Sequence, residues 1–370
     1  MSEAARRALA VRRGAGWFDL GRRGLLEVRG GERVRWLDGV VTADIRRLEP
    51  GSSGSPALAL TPKGRIVADL HVLAFEECFW LECDPAALDA LHERLSRSIV
   101  ADDVRLVDRS AEFARFSVEG PESAARLRAL GASELPEEPG GFTRTRIVDV
   151  DTVVAAFGRS GESAFQLVAP VTGATSMREA LARAGAEPSW VAGDPEVLEI
   201  LRVEAGTPGF GTELGEDTLP AEARMMHAVA LGKGCYAGQE VVERMRSRGR
   251  VGHLLVGLSV ASDSPAPVGA PLVAGPPEPG GGRPLGEVTS AVVSAVAGSI
   301  ALGFVRSGFE APGTRLRVAA EDGPLAARVA PLPFVLAGTG GKLAPAEGAG
   351  SPAPGPGRLP PGPAPGAADR

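Results

Sequence analysis

The stretch LGKGCYAGQEVVERMR, residues 231–246, is the part of the chain from which fold and function are best inferred. It holds one of three cysteines, one of three lysines and the only tyrosine, among three glycines that let the backbone approach a ligand closely. Helix signals begin at Gln239, with glutamates early, arginines late and Gly249 as a stop, which suits the helix dipole. Cys235 therefore precedes a helix N-terminus and lies two residues from Lys233, and both features favour a thiolate.

Residue usage sets this stretch apart from the rest of the chain. The 370 residues contain no Asn, two Gln and three Lys against 37 Arg, which indicates a broad replacement of lysine by arginine. Arginine is a poor substitute where a compact ammonium group is needed. Lys233, Cys235, Tyr236 and Gln239 place four rare residues within seven positions, and this clustering favours a functional loop. The structural alternative is a small buried cysteine that fills space beside Tyr236.

The bulk composition excludes several classes of protein. A formal net charge of −6 argues against a general nucleic-acid binder, and the length suffices for two or three domains. Three cysteines make no disulfide framework, and Cys78 and Cys83 lack a neighbouring histidine that would complete a metal site. The N-terminus has no apolar run of membrane length. We therefore expect a cytoplasmic protein without a metal site, a membrane anchor or direct nucleic-acid binding.

Three segments follow from the pattern of elements along the chain. Residues 1–250 alternate strands with helices of unequal length, which predicts an α+β body. Residues 251–335 contain short apolar runs between Gly/Pro turns, as in a small β-barrel. Residues 336–370 form a Pro/Gly/Ala-rich tail that we expect to be disordered. The predicted helices are 32–38, 85–99, 122–130, 176–184 and 196–205.

At KGCYAGQE, residues 233–240, the chain resembles the K-G-C-Y-x-G-Q-E signature of the YgfZ family, folate-binding proteins that assist iron–sulfur cluster assembly. The resemblance covers about residues 10–335 and leaves the tail outside. Further matching runs are GWFDL at 16–20, RWLDGVVTADI at 35–45, LTPKGRIVADL at 60–70, RVEAGTPGFGTEL at 202–214 and LPAEARM at 219–225.

The YgfZ family is similar in fold to the glycine-cleavage T-protein, a folate-dependent aminomethyltransferase. The resemblance implies a body of two interleaved domains, a C-terminal β-barrel, and tetrahydrofolate or another reduced folate in a central channel. It also implies that Glu204, in an R-x-E-A-G motif, contacts the pterin, since a carboxylate can accept hydrogen bonds from two N–H groups. Arg202, Tyr236 and Gln239 are expected beside the cofactor, and Arg65 at its glutamyl carboxylates.

The function that the resemblance implies is that of an accessory protein in iron–sulfur cluster assembly or repair. Cys235 would act as a redox or transient ligand thiol, and Lys233 would tune it or hold the anionic folate tail; these two are the expected catalytic residues. One thiolate cannot hold a cluster alone, so an iron–sulfur carrier or client protein is the implied partner.

Two alternatives stay open at this stage. One is a folate-dependent aminomethyl transferase, and the other is a structural module in which KGCY is a packing motif. The loop of the T-protein that corresponds to KGCY lacks the cysteine. Its catalytic aspartate follows the strand that FWLEC, residues 79–83, represents here. Asp84 and Asp89 lie near that place, but neither matches the motif, so neither is assigned as catalytic.

Overall fold

The computed structural model describes residues 1–184, 190–249, 251–274, 283–321 and 323–344. Within them, two β-sheets form the body of the protein and a closed barrel follows. The α-helices of the described residues are α1 (Glu3–Arg13), α2 (Arg33–Val40), α3 (Leu88–Ser96), α4 (Ser123–Ala129), α5 (Ala174–Arg183), α6 (Pro195–Ala205) and α7 (Gln239–Arg248).

The first sheet has six strands in the order β11-β1-β7-β10-β9-β8. Its members are β1 (Ala15–Gly21), β7 (Phe113–Glu119), β8 (Phe142–Ile147), β9 (Val150–Ala155), β10 (Ala164–Pro170) and β11 (Trp190–Gly193). Strand β1 pairs in parallel with β11, and the other neighbours are antiparallel.

The second sheet is formed by the chain that runs between β1 and β7. It has five antiparallel strands in the order β3-β4-β5-β2-β6. They are β2 (Gly24–Arg29), β3 (Gly54–Leu60), β4 (Ile66–Ala74), β5 (Phe79–Cys83) and β6 (Arg105–Asp108). The strands of the second sheet are thus inserted in the sequence between two strands of the first sheet. This arrangement confirms the α+β class and makes the two parts of the body interleaved along the chain.

Apolar side chains from both sheets meet in one buried cluster. Leu73 and Trp80 of the second sheet pack there with Val153 and Val168 of the first. Cys78 belongs to this cluster and Cys83 to the neighbouring core behind the second sheet, and both thiols are unpaired and buried. Because successive residues of a strand point to opposite faces, each strand of the interface also directs alternate side chains into the space between the sheets.

The barrel closes in the order β12-β15-β14-β13-β16-β17. Its strands are β12 (His253–Val260), β13 (Pro271–Ala274), β14 (Gly286–Ser294), β15 (Gly298–Arg306), β16 (Arg315–Val318) and β17 (Leu325–Ala330). Valine and leucine side chains such as Val256, Leu258 and Val329 fill the interior. A barrel of this size has a packed core and no central channel.

Helices α1 and α6 pack against each other and against the outside of the barrel. Asp194 caps α6 by accepting a hydrogen bond from the backbone N–H of Val197 at 3.0 Å, Pro195 occupies its first turn, and Gly206 ends it at φ 70°. The sequence analysis did not predict α1, although Ala4, Ala8 and Val11 are buried at helical spacing.

Residues 336–344, assigned to the tail by sequence, form a hydrogen-bonded turn. Leu343 forms a bridge with Val335, and the backbone N–H of Gly338 donates to Glu162 at 2.7 Å. The remainder of the predicted tail, 345–370, lies outside the described residues. Across the residues that the structure describes, none of the helices combines the length and the hydropathy needed to span a bilayer.

Candidate active site

Lys233 anchors the KGCYAG loop to the end of α2. Its ammonium group donates hydrogen bonds to the carbonyl oxygens of Asp38, Val41 and Ala43 at 2.6, 2.9 and 2.5 Å, and only 1% of its side chain is exposed. Burial lowers the pKa of Lys233, and the nearby carboxylate of Asp38 opposes that shift. All three N–H donors are therefore committed to the fold, and Lys233 has none left for a thiolate or a folate tail.

Cys235 is exposed, which removes the alternative of a buried space-filling thiol. The next residue, Tyr236, turns inward and packs with Leu60 and Val242, and burial raises the pKa of its hydroxyl to about 12. Gln239 begins α7 and accepts a hydrogen bond from the backbone N–H of Tyr236 at 3.3 Å. Tyr236 and Gln239 thus stabilise the loop, and Cys235 is exposed to solvent.

Glu204 is buried on the face of α6 that meets α1 and the barrel. Its Oε2 accepts from Arg12 Nε at 2.5 Å and its Oε1 from the hydroxyl of Ser294 at 2.5 Å. Arg12 also donates to Glu162 at 2.9 Å, and the side chains of Arg12 and Glu204 are 1% and 3% exposed. Each carboxylate oxygen of Glu204 therefore already accepts a hydrogen bond from the protein, and the pterin contact that the resemblance implies would need the remaining lone pairs.

Arg202, two residues earlier, points from α6 in a different direction, as its spacing from Glu204 predicts. Its guanidinium donates to Glu199, to the hydroxyl of Ser290, to Glu213 at 3.0 Å and to the carbonyl oxygen of Thr207 at 2.7 Å. Burial raises the pKa of Glu213, but Arg202 and the other hydrogen-bond donors outweigh it, so the pKa is lowered. Arg202 is therefore a positioning residue that fixes the loop after α6.

Arg65 lies on the turn between β3 and β4. Its guanidinium donates to the backbone carbonyl of Asp217 and lies 3.6 Å from the carboxylate of Glu222. A folate carboxylate at Arg65 would thus compete with the carbonyl of Asp217 and the carboxylate of Glu222 for the guanidinium.

A cavity of about 410 Å³ lies between the two sheets and under the loop that Arg202 fixes. Its volume is within the range of small-molecule sites. Of the residues selected from the sequence (Lys233, Cys235, Glu204, Arg202, Tyr236, Gln239 and Arg65), none lines it. The lining residues that matter for chemistry are Arg23, Asp69, His71, Glu82, Phe157, Arg159, Gln166 and His227.

Asp69 is the carboxylate of this cavity that lacks a partner. It lies in the middle of β4, and its Oδ1 is buried without any hydrogen bond. Burial raises the pKa of Asp69, and Glu82 adds to the shift, whereas Arg159 and Arg23 oppose it. A carboxyl group with one oxygen that is buried and has no partner can bind a proton nearer neutrality and exchange it with a ligand.

His71 lies on the same face of β4, two residues after Asp69. Its ring stacks on Phe157 with the ring centres 3.7 Å apart, and its Nε2 lies 3.0 Å from the carbonyl oxygen of Gly140. Because a carbonyl oxygen only accepts, the proton of the ring is on Nε2. Burial lowers the pKa of His71, so the ring is neutral at pH 7. The pair gives the cavity a flat apolar wall.

Arg23 balances the acidic side of the cavity. It donates to Glu82 at 2.6 Å and to Asp84 at 2.9 Å. Burial opposes the charge of Arg23, but these carboxylates outweigh it and its pKa is raised. Asp84, considered from sequence, is thus held by Arg23 and caps the turn before α3. Asp89 lies on the exposed side of α3 and does not line the cavity.

Asp69 was not predicted from the sequence, because the catalytic aspartate was expected after β5 and not within β4. Its signal is present in RIVADLHVLAF, residues 65–75, where Asp69 and His71 are the only polar residues after Arg65 in an otherwise apolar strand. Two polar residues at a spacing of two point to the same face of a strand. Within the described ranges, no three or more His, Cys, Asp or Glu side chains are grouped to hold a metal ion.

This architecture defines a class: a body of two interleaved sheets around a cavity, with a C-terminal barrel. The model of the GCVT N-terminal domain matches residues 1–233, and that of the glycine cleavage T-protein C-terminal barrel domain matches residues 254–335. The chain therefore belongs to the glycine cleavage T-protein family. The expectation of a T-protein-like fold is confirmed.

The similar proteins agree with this assignment. An aminomethyltransferase of Rubrobacter xylanophilus is 31% identical over 332 residues, which cover 88% of this chain and 84% of the relative. An aminomethyltransferase of Symbiobacterium thermophilum is 29% identical over 339 residues, covering 88% and 87%. The crystal structure of glycine cleavage system aminomethyltransferase T from Bartonella henselae superposes with a TM-score of 0.80 at 22% identity, over 90% of this chain and 89% of that one.

Aminomethyltransferases of this family use tetrahydrofolate, the cofactor that the sequence analysis expects. The narrower assignment to the YgfZ branch is not tested by these relatives and stays a prediction.

Proposed function

We propose that the protein is a folate-dependent aminomethyl transferase in which Asp69 is the proton-handling residue. The observation that carries the proposal is the buried Oδ1 of Asp69, which has no hydrogen-bond partner and faces a cavity of about 410 Å³. The names of the relatives support the reaction class.

The residues of the cavity fit a reduced folate. The stacked rings of His71 and Phe157 offer a flat surface for a planar heterocycle, and the free oxygen of Asp69 can accept from an N–H group. A bound tetrahydrofolate would supply the amine nitrogen that receives the one-carbon unit. The family's use of tetrahydrofolate is the second support for this cofactor.

In the proposed mechanism, Asp69 takes and returns the proton that moves when a carbon–nitrogen bond is exchanged. Its raised pKa brings proton uptake closer to the working pH, which general acid–base catalysis requires. Arg23 holds Glu82 in the adjoining wall, so the charge beside Asp69 stays fixed. The sheets bury Oδ1 of Asp69, and burial strengthens electrostatic interactions at this atom.

The test is turnover of purified protein with tetrahydrofolate and an aminomethyl or methylamine donor. We expect Asp69→Asn to lower turnover by roughly 10²–10⁴-fold, the usual contribution of a general acid or base, while folate affinity changes little. Asp89→Asn, an exposed aspartate outside the cavity, is the matched control and should keep full turnover. Near-normal turnover of Asp69→Asn would contradict the mechanism, and absence of wild-type turnover would contradict the function.

The accessory role in iron–sulfur cluster assembly is a second candidate function. The observation that favours it is the exposed thiol of Cys235 on a loop that Lys233 holds rigidly. Such a thiol could meet the cysteines of a carrier or client protein, and the proposal includes the cytoplasmic location that free cysteines favour.

Genetic complementation tests this second candidate. In a strain that lacks the protein, Cys235→Ser should fail to restore the activity of cluster-dependent enzymes. Full restoration would exclude a role for the thiol. Lys233→Ala is unsuitable here, because its loss disturbs the loop itself. If Cys235→Ser also keeps folate-dependent turnover, the transferase function stands without the thiol.

A further inference from the structure

We infer that Arg159 is the residue that binds the glutamyl carboxylates of the folate, at the solvent side of the cavity. The inference rests on the proposed function and assigns a contact for which the sequence analysis selected Arg65 and Lys233. Arg159 lines the cavity, whereas those two residues do not.

The position of Arg159 is set by a buried carboxylate. Glu119, at the end of β7, accepts hydrogen bonds from the backbone N–H groups of Arg159 at 3.2 Å and Ser160 at 2.7 Å, and from the hydroxyl of Ser117 at 2.8 Å. Gln166, another cavity residue, donates in turn to Ser117 at 2.8 Å. This network holds the backbone of the loop between β9 and β10, so the guanidinium projects from a fixed point.

The guanidinium of Arg159 has donors to spare. Its one acidic contact among the described residues is Asp84 at 3.6 Å, too long for a hydrogen bond. Asp84 already accepts from Arg23 at 2.9 Å and from the backbone N–H of Ala86 at 3.1 Å. Arg23, the other cavity arginine, uses two of its three nitrogen atoms on Glu82 and Asp84, and its side chain is only 12% exposed. Arg159 is therefore the cavity guanidinium whose N–H groups all remain available to a carboxylate.

Asp69 and Arg159, whose charges interact, differ in their exposure to solvent. The Oδ1 of Asp69 is fully buried, whereas 34% of the Arg159 side chain is exposed. A ligand with a planar, uncharged head and an anionic tail can place the head beside Asp69 and the tail at Arg159, where the carboxylates keep part of their hydration. The reverse orientation would bring carboxylates beside Asp69 and Glu82 and would be repelled.

The alternative anchors are already occupied by the protein. The ammonium group of Lys233 donates to three carbonyl oxygens, and Arg65 donates to the carbonyl of Asp217 and faces Glu222. Binding a folate carboxylate at Lys233 would break contacts of the fold. Arg65 keeps N–H groups without a partner among the described residues but does not line the cavity, whereas Arg159 lines it and would lose no hydrogen bond.

The experiment compares two ligands that differ only in the tail. Equilibrium titrations are made with tetrahydrofolate and with tetrahydropteroate, which has the same ring systems but no glutamate. We expect the wild-type protein to bind tetrahydrofolate roughly tenfold more tightly, as for one hydrogen-bonded charged pair. In Arg159→Gln the preference for tetrahydrofolate should vanish, with the affinity for tetrahydropteroate unchanged. Arg159→Lys should restore part of the preference. Arg65→Gln is the matched control and should keep the full preference.

The outcomes separate this inference from the proposed function. If Arg159→Gln weakens both ligands equally, or if it leaves the preference for tetrahydrofolate intact, Arg159 is not the tail anchor although the folate site stands. If the wild-type protein binds neither ligand, the folate site itself is refuted and the inference falls with it. Thermal unfolding of Arg159→Gln verifies that the variant is folded, as expected for a loop held by its backbone.

Discussion

Glu204 and Asp69 are both carboxylates with a buried oxygen atom, yet their surroundings differ. Arg12 and Ser294 occupy both oxygens of Glu204, in a contact between two helices and the barrel. Asp69 keeps a buried oxygen without a partner and faces a cavity. A buried carboxylate with a protein donor on each oxygen holds a structure together, whereas a buried oxygen without a donor marks a place where a ligand can bind.

The largest effect that this comparison predicts is on stability at Glu204. Glu204→Ala leaves the buried guanidinium of Arg12 without one of its two carboxylates, and loss of one partner of a buried pair costs about 3–5 kcal/mol. Urea unfolding measures this loss. Glu196→Ala, an exposed change on the same helix, should cost less than about 1 kcal/mol.

The affinity of Glu204→Ala for tetrahydrofolate is a second test of the difference between Glu204 and Asp69. Under conditions in which Glu204→Ala is still folded, its affinity for tetrahydrofolate should equal that of the wild type, since Glu204 does not line the cavity. A selective loss of folate affinity without a loss of stability would restore the pterin contact that the resemblance implies.

An intermediate loss of stability is expected on substitution of Lys233. In Lys233→Arg, a planar guanidinium replaces an ammonium group that donates to three converging carbonyl oxygens, and at least one of them loses its partner. We expect a loss of roughly 1–3 kcal/mol in the free energy of unfolding. Lys63→Arg, at an exposed position, should change stability very little. Equal stability of the two variants would contradict the anchoring role of Lys233.

The smallest predicted effect has the opposite sign and concerns the stability of Asp69→Asn. Because the pKa of Asp69 is raised in the folded protein, its contribution to stability is full below the unfolded pKa of about 3.9 and is lost as the pH rises through the folded pKa. Asparagine stays neutral, so the melting temperature should rise slightly at pH 7. This gain should disappear below about pH 4. A lower melting temperature at pH 7 would show that the ionised carboxylate is stabilised in the fold.

Much of the fold could be predicted from the sequence. The barrel and most helices followed from apolar periodicity and turn residues. The scarcity of lysine marked Lys233 as a candidate for a position where arginine would fail, and its ammonium group indeed donates to three carbonyl oxygens. What that scarcity could not reveal is whether the ammonium group serves a ligand or the protein. The three carbonyl groups that receive it lie about 190 residues earlier, at the end of α2.

The site was harder to predict than the fold, for a related reason. Glu204 belongs to a motif, but the residues that occupy its oxygens, Arg12 and Ser294, are distant in sequence. Asp69 does not lie in a cluster of rare residues. Its role becomes visible only in the fold, where it lines the cavity between the two sheets. The local signals available were the period-two pattern of Asp69 and His71 in an apolar strand and the family match at LTPKGRIVADL, residues 60–70.

The most direct test of the central claim is a titration of the Asp69 carboxyl group itself. Carbon-13 NMR of protein labelled at aspartate Cγ, with the resonance assigned by its absence in Asp69→Asn, would follow this group against pH with and without tetrahydrofolate. We expect Asp69 to titrate above the ordinary aspartate pKa of about 3.9 and saturating folate to shift its resonance. Titration at or below the ordinary value, with a resonance that folate leaves unchanged, would contradict the proposed role of Asp69.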